Sequence, residues 1–392
     1  MAAIVDVEVI SIVTPEVNSE DCDGSSDTVI VRVTDEDGLQ GIGEADAPPN
    51  VVSAYFAQPN LHIWSQSIRD IVIGADPFEI TALFDRVYDG TAYPGRRGLG
   101  VHALSALDVA IHDLVGKQLG RPVYQLLGGS RRADLRPYAT IFPGLPNGRS
   151  LDEVMTDIRR RFEKALDAGF RAVKMEVMFY DAATDRQLVD AIRQGRSWLG
   201  DDITMMLDFG YRWRDWRDAL WVLRRIEECN IYFAEAPLNH DDIVGHGCLA
   251  ERSEIRIGGA EWSATRFECR EWLAAGVDVL QPDINRCGGL TEIMRIAAEA
   301  DAQGRTVVPH GWKTGITAAA GRHFHAATAN SPTFEFLSPL LWPSPIRKEL
   351  VHPEPQIRDG LMALPEGPGL GIELDPEVVE RYRVDVAMSA PG

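Results

Sequence analysis

Between residues 135 and 336 the chain repeats one pattern: a short apolar run of strand character, then a longer amphipathic stretch of helical period. That alternation is the signature of parallel βα units, which must bury both faces of each strand. The strands read from the sequence are 135–140, 171–177, 203–208, 231–235, 255–260, 277–282, 306–309 and 333–336. Eight are enough to close a barrel. Ser150 with Glu153, Thr184 with Gln187 and Thr265 with Glu268 match the capping box that starts a helix, and each is expected to mark one. The fold class expected is α/β, a modified TIM-type (β/α) barrel.

A barrel of roughly 250 residues leaves much of a 392-residue chain unassigned. Residues 3–14, 27–34 and 39–45 have strand character, and Asp35 to Gly38 reads as a hairpin turn between the last two. Helical patterns follow at 51–73, 77–88 and 99–119, the last with Ala103, Ala106 and Ala110 as a small-residue face. After about residue 341 the alternation stops, and Pro365, Gly367, Pro368, Gly369 and Gly371 mark a Pro/Gly-rich tail. The expected layout is an α+β capping domain over 1–130, the barrel over 131–340, and a segment over 341–392 that returns to the cap.

Lys and Arg number 39 against 59 Asp and Glu, a net charge of −20 that disfavours nucleic acid and anionic membrane surfaces as partners. It leaves room for an anionic small molecule, because a local cation cluster can invert the field in one cleft. No run approaches the ~20 uninterrupted apolar residues of a membrane span, and the first residues lack a secretory pattern, so a cytoplasmic protein is expected. Five scattered cysteines without a CxxC pair read as plain thiols.

In such a barrel the chemistry gathers at the C-terminal strand ends. Strand 2 ends in Lys174 and Glu176, strand 3 in Asp208, strand 4 in Glu235, strand 5 in Glu261, strand 6 in Asp283, strand 7 in His310 and strand 8 in Glu335. One acid after a strand is commonly a helix cap or a solvated loop residue; an ionisable group at seven successive ends is not. Asp208, Glu235 and Glu261 would crowd adjacent tips and repel one another unless a cation neutralised them. All-oxygen ligation suits Mg²⁺, one per chain, or Mn²⁺. His310 and Asp283 are the expected proton-transfer pair, with the carboxylate fixing the imidazole tautomer. Glu335 would donate a hydrogen bond to an enolate oxygen if burial kept it protonated. Lys174 and Glu176, two apart, point into the same interior and can also form a plain salt bridge.

The order of these residues, with "ALDVAIHDLVGKQLGRPVYQLLGG", "RAVKMEV", "MMLDFGYRW", "FAEAPLNHDD", "IGGAEWS", "LQPDINRCGG", "VVPHGWKTGI" and "PEGPGLGIELD", resembles the enolase superfamily, most closely its mandelate racemase subgroup. The resemblance covers nearly the whole chain. It implies a cap made from both chain ends over a barrel in which Mg²⁺ binds a substrate carboxylate, and a shared step that removes the proton α to it. By resemblance, Asp208, Glu235 and Glu261 match the metal ligands, His310 with Asp283 the dyad, Lys174 the first lysine of a Lys-x-Lys motif, and Glu335 the electrophile of strand 8. A homo-oligomer is expected by the same analogy.

The departure is Glu176, where the pattern often has a second lysine as base. One catalytic face served by His310 suits dehydration of a hydroxy acid better than two-base racemisation. His310 would take the α-proton, and either His310 (syn) or a protonated Glu176 (anti) would assist loss of the β-hydroxyl. The expected activity is a Mg²⁺-dependent dehydratase of an aldonate or aldarate, passing through an enediolate to a 2-keto-3-deoxy acid. The alternatives are a racemase or epimerase of a hydroxy acid and a non-catalytic enolase-like binding protein. Substrate selection is expected from loops near Val17 to Ser26 and Pro48 to Tyr55, and from Arg96, Arg97, His240, Trp262, Trp312 and Lys313.

Overall fold

Val, Ile and Thr dominate the two strands that open the chain, and in a computed structural model, which describes residues 2–15, 26–342 and 344–385, they pair as expected. Strands β1 (Ile4–Val13), β2 (Asp27–Asp35) and β3 (Gln40–Ala45) form an antiparallel sheet with β2 in the middle. The turn before β3 is held by Asp35, whose Oδ1 accepts from the Asp37 and Leu39 amides. Helix Leu99–Leu119 lies on this sheet, and glycines on β3 let its small-residue face approach. A Cβ on Gly43 would stand 2.0 Å from the Ala106 carbonyl oxygen, and one on Gly41 2.1 Å from that of Ala110. This helix is long and apolar enough to cross a membrane, yet 89% of its apolar window is buried inside the fold.

The single helix expected over 51–73 is two, Pro49–Phe56 and Ile68–Val72. Pro59 supplies no amide, the Asn60 side chain takes the Ser67 N–H, and the Ser67 hydroxyl caps the second helix. Pro48 to Tyr55, expected as a loop, is therefore largely the first of these helices.

The eight parallel strands are β4 (Pro137–Ile141), β5 (Ala172–Glu176), β6 (Thr204–Asp208), β7 (Ile231–Glu235), β8 (Arg256–Gly259), β9 (Val279–Leu280), β10 (Thr306–Val307) and β11 (Phe334–Glu335). Their order is β10-β9-β8-β7-β6-β5-β4-β11, a curled sheet with a helix after each strand. Among the described residues no ladder joins β10 to β11; the Gly311 N–H donates to Glu335 Oε2 across that seam at 2.8 Å. Tyr138, Met206, Phe233, Val279 and Val308 fill the interior as an apolar plug. Ser150 and Thr184 form complete capping boxes. Thr265 does not: its side chain makes no cap bond, the Glu268 amide donates to the Thr265 carbonyl, and the Glu268 side chain accepts from the Ala264 amide.

The tail returns to the N-terminal layer. Leu370 donates its N–H to Asp113, Val123 donates to Gly369, and Arg383 bridges Ile12 of β1. Ile10, Ile12, Ile30, Leu280, Ile293, Leu370 and Val378 belong to one apolar core, so cap, barrel and tail share a single buried surface. Each such aliphatic side chain contributes about 1.5–3 kcal/mol by its burial.

Gly43→Ala should force the helix off β3. The expected cost is about 1–3 kcal/mol, the usual range for overpacking, read as a lower urea midpoint. An unchanged midpoint would show that the helix can withdraw without loss.

Candidate active site

Register brings the acids together. Glu176 of β5 pairs with Asp208 of β6, and Asp208 with Glu235 of β7. Aligned residues of parallel strands point the same way, so three carboxylates enter the interior in one row above the apolar plug. The next position on β8 is Gly258, and the fourth acid, Glu261, comes from the loop two residues past the strand. After each of these three tips the chain takes a left-handed residue that is not glycine: Tyr211 at φ +63°, Ala236 at +44° and Ala260 at +82°. Such backbone costs on the order of 1–3 kcal/mol per residue and persists only where neighbours enforce it. Here the Ala236 amide donates to the Gly258 carbonyl and the Tyr211 amide to the Ala236 carbonyl.

Lys174 lies one layer deeper, its Nζ 2.7 Å from Glu235 Oε2, 3.1 Å from Glu335 Oε1 and 3.6 Å from Asp208 Oδ2. Glu335 also accepts from the Thr140 hydroxyl. His310 Nδ1 stands 2.6 Å from Asp283 Oδ2, while Asp283 Oδ1 accepts the Asn285 amide, also at 2.6 Å. With Nδ1 so engaged, Nε2 is the ring atom left for the cleft. Lys174, Glu176, Asp208, Glu261, His310 and Glu335 open on one cleft of about 330 Å³, with Glu235 and Asp283 behind them.

Burial would strip Lys174 of its proton, but Glu235 and Glu335 more than offset this and hold its pKa well above the ordinary value. Burial likewise opposes charge on His310, yet the Asp283 hydrogen bond and the field of Glu261 push its pKa up to about 10. Burial drives Glu235 up to about 8 and Asp208 up to about 6, against the pull of Lys174 on each. Burial, and then the neighbouring Asp208, raise the Glu176 pKa well above its ordinary value. For Glu335 burial acts in the same direction, but Lys174, His310, the Thr140 hydroxyl and the Gly311 amide outweigh it and lower its pKa, the opposite of the shift that would make it a hydrogen-bond donor.

Among the described residues no three such side chains already converge as a metal cage. Glu261 leans on the Tyr211 hydroxyl and Glu235 on Lys174. The donor set nevertheless fits a hard dication. It is all oxygen on neighbouring strand tips, its members repel one another, and Glu235 Oε1 is buried without a hydrogen-bond partner.

The residues expected to select substrate separate into near and far. Trp262 and Trp312 wall the cleft, Trp262 against Tyr211 at 4.5 Å between ring centroids and Trp312 edge-on to Trp342 at 5.0 Å. His240 lies behind the wall, between Trp262 and Trp272. Arg96 is exposed and lines no part of the cleft, since its short helix turns it to solvent, and Arg97 faces Glu271 and Phe267. Lys313 borders an adjoining cavity, paired with Asp27 and Asp46. Of the loop expected near Val17 to Ser26, residues 17–25 lie outside the described ones. Arg286, Asp46 and Tyr211 line the cleft and were not singled out from the sequence. Arg286 sits inside the "PDINRCGG" run three residues after Asp283, so a signal existed; Asp46 had none beyond following a strand.

Residues 2–128 match the model for the mandelate racemase / muconate lactonizing enzyme N-terminal domain, and residues 157–378 match the enolase C-terminal domain-like model. An L-rhamnonate dehydratase of Saccharopolyspora erythraea is 33% identical over 369 residues, covering 91% of this chain and 86% of that protein. A D-galactarolactone cycloisomerase of Agrobacterium fabrum is 30% identical over 362 residues, covering 91% of each. A crystal structure described provisionally as that of a racemase is 43% identical and superposes with a TM-score of 0.91, covering 97% of this chain and 98% of that one.

Two measurements test the site. Glu261→Gln should leave the fold intact, as followed by circular dichroism, while weakening Mg²⁺ binding in calorimetry by at least about tenfold, the usual scale for disturbing a metal site. Wild-type affinity in that variant would remove Glu261 from the ligand set. The imidazole of His310 should titrate by NMR near the raised value of about 10 without a divalent ion. Saturating Mg²⁺ should lower it by at least about one unit, because the carboxylate field is then balanced. An unmoved titration would place the ion elsewhere. A folded pKa above the ordinary value also means that this proton stabilises the fold below about pH 6.5, and that the contribution is lost as pH climbs through about 10.

Proposed function

The chain belongs to the enolase superfamily, within its mandelate racemase group, and on that premise we propose that it dehydrates an acid sugar with the help of Mg²⁺. The observation that carries this reading is the composition of β5. Where a second lysine would make a second base, a buried carboxylate, Glu176, stands in register with Asp208. The cleft is then lined by one imidazole, His310, and by an acid, Glu176, whose pKa burial and Asp208 raise.

A divalent cation at Asp208, Glu235 and Glu261 would supply the Lewis-acid charge that makes the proton α to a bound carboxylate acidic. The chain's own groups do the rest. Lys174 stays cationic because Glu235 and Glu335 surround it, so it can hold one oxygen of the substrate carboxylate. Glu335, held ionised, fixes the position of Lys174 and ties the β10 loop to β11 through the Gly311 amide. His310 Nε2 takes the α-proton once the charge of the surrounding carboxylates is balanced, and Asp283 steadies the imidazolium that results. The C–O bond at the β-carbon then breaks with a proton delivered to the departing hydroxyl. His310 can return its own for a syn loss of water, and Glu176 can deliver one for an anti loss. The enol that remains becomes the 2-keto-3-deoxy acid.

Isomerisation at the same α-carbon is the second reading. It is favoured by the similarity to a cycloisomerase, since proton removal is common to both outcomes. A panel of aldonates and aldarates with Mg²⁺, assayed with semicarbazide, separates the two. Dehydration predicts a 2-keto product from at least one member, and His310→Asn should cost about 10²–10⁴-fold in kcat. Deuterium uptake at the α-carbon in D₂O without any keto product would overturn dehydration in favour of isomerisation.

A further inference from the structure

Next to the cleft of the strand-end residues is a second cavity of about 390 Å³, and the two share Asp46, Trp262 and Arg286. The shared residues make the second cavity an extension of the first. It lies where the cap meets the barrel: Asp46 follows β3, Arg286 follows β9 and Lys313 follows β10. A substrate with its carboxylate end at the strand tips would extend its far end here.

The charges of this extension cancel. Arg286 pairs with Asp46, and Lys313 stands 3.3 Å from Asp46 and 3.0 Å from Asp27. Among the described residues, two cations therefore meet two carboxylates before any ligand arrives. His102 adds no charge, since burial, and then Arg286, lower its pKa, while its Nδ1 lies 3.0 Å from the Asp46 carbonyl oxygen. Ala47, Pro48, Leu99 and Trp262 complete the walls with apolar surface.

We propose that this cavity is a subsite for the far end of the substrate and accepts an uncharged, hydroxylated end, so that the substrate is an aldonate and not an aldarate. This rests on the acid-sugar reading above for the carboxylate end. A terminal hydroxyl can accept from the guanidinium or ammonium and donate to Asp46 or Asp27, so every partner stays satisfied. A terminal carboxylate can only accept, and it would bring a third negative charge beside two that already occupy the available cations. The apolar walls suit the C–H faces of a carbon chain and offer nothing to a second anion.

The test is calorimetric binding to Mg²⁺-loaded His310→Asn protein, whose turnover is at least about a hundredfold slower, using hexonates and hexarates matched in configuration and differing only at the terminal carbon. At least one hexonate should bind at least about tenfold more tightly than its hexarate, the scale of one uncompensated like-charge contact. In Asp46→Asn, and separately in Asp27→Asn in case the first does not fold, that discrimination should shrink about tenfold as one negative charge is removed. Equal or tighter binding of the hexarates, discrimination unchanged in the folded variants, or no binding of any hexonate would each overturn the subsite. Failure of dehydration in the active protein, with the hexonate preference intact, would sink the reaction assignment alone and leave the subsite standing.

Discussion

Like charges buried in one row are the constraint on which the rest of this site depends. Parallel register places Glu176, Asp208 and Glu235 side by side above an apolar plug, where burial removes most of the water that would solvate their charge. Lys174 beneath them balances part of that field and is itself held charged by it. The remaining imbalance appears as raised carboxylate pKa values and as a buried Glu235 oxygen without a partner. A hard dication answers both, which is why the proposed metal chemistry follows from the register of three strands.

The same field extends to neighbouring groups with opposite consequences. With burial it raises the pKa of Glu176, which has Asp208 beside it, and against burial it raises that of His310, whose ring faces Asp283 and Glu261. Glu335 sits in the same interior yet stays ionised, since Lys174, His310, a hydroxyl and an amide all favour its anion. Two carboxyl groups of one cleft thus shift in opposite directions, according to the charges and hydrogen-bond donors around each. The left-handed residues after β6, β7 and β8 show that backbone strain is tolerated where these acids must be aimed.

The cap contributes through its junction with the barrel. Helix Leu99–Leu119 fits tightly on β3 because Gly41 and Gly43 leave no side chain between them, and β3 in turn delivers Asp46 to Arg286 and Lys313. Packing in the N-terminal layer therefore fixes a charge pair at the edge of the cleft. The shared apolar core of cap, barrel and tail keeps that edge in place.

By itself the sequence determined the barrel, the three acids, the His310 and Asp283 pair and the odd position of Glu176. The barrel, the acids and the pair depend on local facts, a strand's period, its end and a polar residue just past an apolar run, while Glu176 is odd only against the family pattern that the chain resembles. Contacts between distant residues had to wait for the tertiary structure. Asp46 meets Arg286 across 240 positions of chain, and no periodicity reports that. The break at Pro59 and the missing cap at Thr265 turned on where single amides found their acceptors, Ser67 N–H on the Asn60 side chain and Glu268 N–H on the Thr265 carbonyl. The charge state of Glu335 was decided in the same way. Burial alone argues for a neutral acid, and only the positions of Lys174, Thr140, His310 and the Gly311 amide reverse the sign, because electrostatic sums depend on distances that a sequence does not contain.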